Sequence, residues 1–150
     1  MANFQQQLTK AKKLSPNRLE KDLFKFIKSI EKEILEKNKY QIQEQSQDIY
    51  GNPIGFYSYA TEVISKGKKK KGEPFTGYDT GDLLNKSYLQ EVAGVIRFGS
   101  NSPHWAEIQK SSGIWLSKEL FGLSDQNLKE VIQERLLPFF IENSSNILEI

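Results

Sequence analysis

The chain has no cysteine, one methionine and one histidine in 150 residues. Without cysteine there is no disulfide, no thiolate nucleophile and no cysteine-ligated zinc site. A metal site built on His104 would have to be completed by scattered carboxylates, and none stands at a ligand spacing from it. A Ser-His-Asp arrangement would also have to be built on His104. The nearest serines, Ser100 and Ser102, sit in a polar turn and no nucleophile elbow is present. No apolar run approaches the length of a membrane span, and the first residues lack the apolar core of a signal peptide. The expected product is a soluble protein made in the cytoplasm, with no membrane partner. Charge of one sign is also lacking: 21 Lys and Arg against 19 Asp and Glu leave +2. No global field therefore draws the whole chain to nucleic acid.

What is present suits one domain over residues 1–150. Hydrophobic residues are 37%, charged residues 27% and aromatics 11%. That composition fits a small core with long exposed helices, or a core completed by neighbouring subunits. The charge is unevenly spread. Residues 1–50 carry ten basic and seven acidic side chains, 51–111 eight and six, and 112–150 three and six. A basic front and an acidic rear suit head-to-tail packing of identical subunits.

Residues 1–14 read as a short helix or a mobile arm, with Phe4 and Leu8 four apart. Ser15-Pro16 reads as an N-cap followed by proline in the first turn. Leu19, Leu23, Phe26, Ile27, Ile30 and Ile34 then trace one face of a helix expected from about 16 to about 46. "DIYGNPIGFYS", from Asp48, reads as a turn cluster, and residues 59–65 could form a short helical turn. Residues 65–77, with Lys66 before Gly67 and Lys68 to Lys71 between Gly67 and Gly72, read as a basic loop. Ser87–Val92 and Val95–Ser100 read as a hairpin turning at Ala93-Gly94. "IWLSKEL" follows as a strand or extended edge. Ser124 caps a last helix with Leu128, Val131, Ile132, Leu136 and Leu137 on one side, which Pro138 should kink or interrupt. The expected fold is α+β: a long N-terminal amphipathic helix, a small antiparallel sheet and a C-terminal helix.

Three stretches invite a functional reading. Asp79-Thr80-Gly81 is the triplet of aspartic proteases, where one such aspartate from each of two subunits shares a proton. That chemistry needs the triplet to leave an apolar strand, and "EPFTGY" is not one. The plainer reading is a cap for a short helix starting at Asp82-Leu83-Leu84. Lys66, Lys68, Lys69, Lys70 and Lys71 could neutralise phosphates without reading sequence, or could simply be a solvated loop. Phe56, Tyr57 and Tyr59 lack the interleaved basic residues of a base-stacking platform and read as packing or interface.

Taken in order, several phrases resemble one phage family, the tail-completion, virion-morphogenesis and head–tail joining proteins. "DIYGNPIGFYSYAT" is similar to the family's Asp-x-x-Gly turn followed by an aromatic and a Ser or Thr. "TGDLLNKS", Thr80 to Ser87, fits Thr-Gly-x-Leu-x-x-Ser. "FGSNSPHWAEIQKSSG" resembles the Gly-Ser/Thr-Asn turn before an aromatic-Ala pair, with Trp105 where tyrosine is frequent. "LFGLSDQNLKEVIQERL" resembles the last phrase and its helix. The likeness runs from about Asp48 to Leu137. The arginine-proline pair often found before the last phrase is replaced by "SKELFGLS", and the long lysine loop is particular to this chain.

The resemblance implies a structural virion protein, not an enzyme and without a cofactor. It would be a subunit of a homo-oligomeric ring at the neck or the top of the tail. Its partners would be other copies of itself, the portal or adaptor, and tail proteins, with genomic DNA passing through the channel. Thr80 and Gly81 would shape the turn into the sheet, and Leu83 and Leu84 would anchor it. Trp105, Phe121 and Leu123 would serve packing or subunit contact. The lysine loop would face an acidic neighbour or the DNA, and the neighbour is favoured, because many phosphate contacts would hinder passage.

Overall fold

The structure, a computed structural model, describes residues 3–56, 66–67, 70–73, 82–103, 105–106, 110 and 120–150. The architecture is α+β. The helices α1 (Phe4–Ala11), α2 (Pro16–Ser29), α3 (Glu31–Gln43) and α4 (Asp82–Asn85) precede a hairpin of β1 (Ser87–Val92) and β2 (Val95–Ser100). The helix α5 (Asp125–Val131), a π turn (Ile132–Leu136) and α6 (Leu137–Leu148) then follow. Packing groups these elements into two compact units, one of Met1–Glu31 with Lys129–Ile150 and one of Lys32–Leu128.

In the first unit α1 opens with a capping box. The Gln6 N–H donates to Asn3 Oδ1 at 2.9 Å and the Asn3 N–H to Gln6 Oε1 at 3.0 Å. Ser15 caps α2 by accepting from the Arg18 N–H, and Pro16 occupies the first turn as its fixed φ favours. Ile27, Ile30, Val131 and Ile147 are the buried apolar side chains of this unit. Phe26 of α2 stacks on Phe139 of α6 with ring centroids 4.2 Å apart, and the Arg135 guanidinium lies 5.9 Å from the Phe26 ring. Asn143 donates to Asp22 Oδ2 at 3.0 Å.

The helix expected from 16 to 46 is two helices, broken at Ile30 (φ −106°, ψ 19°), and it stops at Gln43. No glycine or proline marks the break. The Ser29 hydroxyl donates to the Phe26 carbonyl at 2.5 Å, and that carbonyl also receives the Ile30 N–H at 3.1 Å. Such back-bonding by serine bends and weakens a helix locally. Before Pro138 the α-helix is interrupted, as expected, but by a π turn at Ile132–Leu136 and not by an end to the helical backbone. The Leu137 N–H reaches the Ile132 carbonyl five residues back, and this wide turn makes room for a ring that would press on the carbonyl of residue 134 in a regular α-helix. The apolar side of the last helix is not a core face throughout. Val131 is buried, but Leu128, Ile132 and Leu137 are exposed.

In the second unit Ile42, Ile54, Leu84 and Leu120 form the buried cluster, with Phe121 against it. The hairpin has the expected bounds, pairing Ser87 with Ser100 and Val92 with Val95. Ala93 (φ 51°) and Gly94 (φ 80°) both take the left-handed conformation that a two-residue hairpin turn needs. Glu91 steadies the turn by accepting from the Gly94 N–H at 2.9 Å. Opposite Tyr88, Gly99 leaves the ring its place: a Cβ there would stand 2.8 Å from the phenol end.

Candidate functional site

The centre of the second unit is an amide. Gln41 has 0% exposure and every polar atom of its side chain is engaged. Its Oε1 accepts from the Ser124 N–H at 2.7 Å and from Asn127 Nδ2 at 2.9 Å. Its Nε2 donates to the carbonyl of Gly122 at 2.9 Å and to those of Gln47 and Asp48 at 3.3 Å each. Asn38, one turn earlier, donates to the same Gly122 carbonyl at 2.6 Å, and Asn127 also donates to Gln45 Oε1 at 2.8 Å. Ser124 caps α5, its hydroxyl accepting from the Asn127 N–H at 3.3 Å.

This network fastens two distant phrases. Asp48 closes the first turn through Oδ1, which accepts from the N–H groups of Tyr50 and Asn52 at 2.9 Å each. The Asp48 N–H donates to the Asn52 carbonyl at 2.8 Å, and the Gly51 N–H to the Asp48 carbonyl at 3.0 Å. Gly122 lies directly on this turn. Its φ of +146° suits glycine, and a Cβ would come within 2.7 Å of Ile49 Cγ2. "DIYG" and "FGLS" are therefore one joint, held by α3.

The other phrases surround it. Leu84 of "TGDLLNKS" is in the apolar cluster, and the Ser87 hydroxyl donates to the Leu84 carbonyl at 2.6 Å. Ser100 and Ser102 are buried, and the Ser102 N–H donates to Ser100 Oγ at 3.1 Å. Trp105 meets Phe121 edge to face, centroids 4.5 Å apart. Leu123, between Gly122 and Ser124, is half-buried. Leu83 falls on α4. Thr80, Gly81, Asp79, His104, Lys68, Lys69, Tyr57, Tyr59 and the "IWLSKE" segment lie outside the described residues.

Of the basic loop, Lys66, Lys70 and Lys71 are exposed, and Lys66, Gly67 and Gly72 have positive φ. Phe56, expected to serve packing or an interface, is 53% exposed, so it is not a core residue of this chain. No group of His, Asp and Glu among the described residues is placed to hold a metal. None of the described helices is long and apolar enough to cross a membrane.

In the first unit the electrostatic feature is a pair. Lys10 Nζ lies 2.7 Å from Glu149 Oε2, and its hydrogen bond and charge hold the Glu149 carboxyl below the usual range, with Lys13 adding to the effect.

Sequence reasoning missed Gln41, Asn38, Gln45 and Asn127. A signal was available: amides at 38, 41 and 45 share a helix face with the apolar positions Ile34 and Ile42. Compared with family models, with curated proteins and with solved structures, the chain finds no match in any of the three.

Proposed function

We propose that this chain is a non-enzymatic structural protein of a phage particle. It forms, with copies of itself, a ring at the neck or the top of the tail, joining the portal or adaptor to the tail around the DNA channel. The observation that carries this reading is where the family-like phrases fall. "DIYG", "TGDLLNKS", the Ser100–Ser102 turn and "LFGLS" supply the joints of the second unit: the Asp48 turn, the Leu84 anchor, the buried serines, and the Gly122 and Ser124 contacts with Gln41.

A second observation fits assembly. Leu137, Phe140 and Ile141 on α6 and Phe4 on α1 are 42–78% exposed, apolar surface that a neighbouring subunit could cover. In this setting the loop with Lys66, Lys70 and Lys71 meets an acidic neighbouring subunit, with passing DNA as its other candidate partner. Mass spectrometry of purified particles from the phage encoding this chain tests the reading. The chain should be retained at several copies per particle after DNA release; its absence from particles would refute the proposal.

A further inference from the structure

Very little holds α1 to the rest of its unit. None of its eight residues is buried, and Lys10 alone among them is half-buried. Burial of apolar surface, the usual reason a helix stays docked, is nearly absent. Among the described residues the hydrogen bonds of α1 stay within residues 3–14. They include the Asn3–Gln6 capping box, the Thr9 hydroxyl on the Gln5 carbonyl at 2.9 Å and the Lys12 N–H on the Leu8 carbonyl at 3.1 Å. The bond that leaves the helix runs from Lys10 Nζ to Glu149 Oε2, just past the end of α6.

Glu149 stands where glycine is the usual residue. The Ile150 N–H closes on the Ser145 carbonyl at 3.0 Å and the Glu149 N–H on the Asn146 carbonyl at 3.2 Å, a pairing that ends a helix on one left-handed residue. That residue is Glu149, with φ 56° and ψ 43°. Glycine takes this conformation freely, whereas a β-carbon strains it. A carboxylate is also disfavoured at the negative end of the helix dipole. Backbone and dipole thus both select against glutamate here. What glutamate supplies instead is the hold on Lys10, with the charge of Lys13 adding to it.

We infer that the Lys10–Glu149 pair is a latch and that α1 is a releasable arm, hinged at the residues between α1 and α2. The start of α2 does not need α1, because its own Ser15 hydroxyl caps it by accepting from the Arg18 N–H. The Lys10 and Glu149 side chains are 24% and 61% exposed. An ion pair this open to water is weak and is screened by salt, so the latch opens readily. Once it opens, eight residues are too few to stay helical in water, and release and melting of α1 are one event. The inference does not depend on the functional reading; a free arm and a docked arm are two states of the chain whatever it assembles with.

Millisecond hydrogen exchange on the full chain tests it, with α2 as the internal reference. Glu149→Gly separates a latch from ordinary packing, because it eases the backbone at the end of α6 while removing the carboxylate. Protection of the α1 amides should fall about two- to fivefold, the range expected of an exposed pair, while that of α6 stays or rises. Salt at about 0.5 M should bring wild-type α1 to the same level. Lys10→Glu combined with Glu149→Lys should restore protection at low salt. Equal losses over α1 and α6 in Glu149→Gly overturn the inference in favour of a general packing contact. Unchanged α1 protection in Glu149→Gly or in salt overturns it in favour of docking by van der Waals contact, and so does a charge swap that restores nothing. Wild-type α1 amides that exchange as fast as an unstructured peptide overturn it in favour of an arm that never docks.

Discussion

Replacing Gln41 by leucine keeps most of the side-chain volume and removes all of its hydrogen bonds, so the result isolates the polar joint from a cavity effect. The Gly122 carbonyl keeps Asn38, and Asn127 keeps Gln45. The Asp48 carbonyl keeps the Gly51 N–H. The Ser124 N–H loses its 2.7 Å acceptor and the Gln47 carbonyl loses its 3.3 Å donor. Two stranded groups at about 1–3 kcal/mol each give a loss of about 2–6 kcal/mol. That is a large part of the ~5–15 kcal/mol that holds a typical domain. With a urea slope of roughly 1–3 kcal/mol per molar, the midpoint should fall by about 1–3 M. Trp105 and Trp115 are the two tryptophans and both fall within Lys32–Leu128, so intrinsic fluorescence reads this unit. Gln45→Leu, which loses one bond on an exposed side chain, should cost about 1 kcal/mol or less. Gln41→Leu combined with Asn127→Leu should cost less than the two separate losses added together, since the partners are removed as a pair. A Gln41→Leu loss below about 1 kcal/mol would refute the claim that this amide fastens the two phrases.

Gly122→Ala should destabilise the same unit by about 2–4 kcal/mol, combining backbone strain at φ +146° with a clash on Ile49, again read by tryptophan fluorescence in urea. Gly99→Ala should cost about 1 kcal/mol, because the Tyr88 ring it meets can swing outward; equal losses at the two glycines would show that the crowding at Gly122 is relieved more easily than its contact suggests. Phe139→Ala removes the ring stacked on Phe26 and should lower the stability of the first unit by about 2–3 kcal/mol, seen as an earlier loss of helical circular dichroism. The Glu149 carboxyl should titrate by NMR below the ordinary range, and Lys10→Ala should move it back up. Its folded value is the depressed one. The contribution of this pair is therefore complete at neutral pH and is lost as pH falls through that depressed value.

The hairpin was legible because its signal is local: the Ala93-Gly94 turn demands two positive φ values and the flanking strands need only pair with each other. Ser15, Pro16 and Ser124 were legible for the same reason, as caps whose partners lie within a few residues. The break at Ile30 was not, because the apolar spacing of Ile27, Ile30 and Ile34 passes through it and the cause is a serine hydroxyl turned back on the helix. The form of the interruption before Pro138 was hidden because a π turn leaves no mark in composition. The joint at Gln41 was half legible. Its two phrases stood out, but the residue that unites them is an amide on a helix face, and its partners in the second phrase lie 81 to 86 residues away. Long-range polar pairing of this kind carries no periodicity for a single sequence to display.

The most direct test of the neck-ring proposal is electron cryomicroscopy of purified particles, with local averaging of the region between head and tail. The account predicts a closed ring of copies of this chain around the DNA channel, with adjacent subunits in heterologous contact. Density in that region wholly accounted for by other proteins would contradict it.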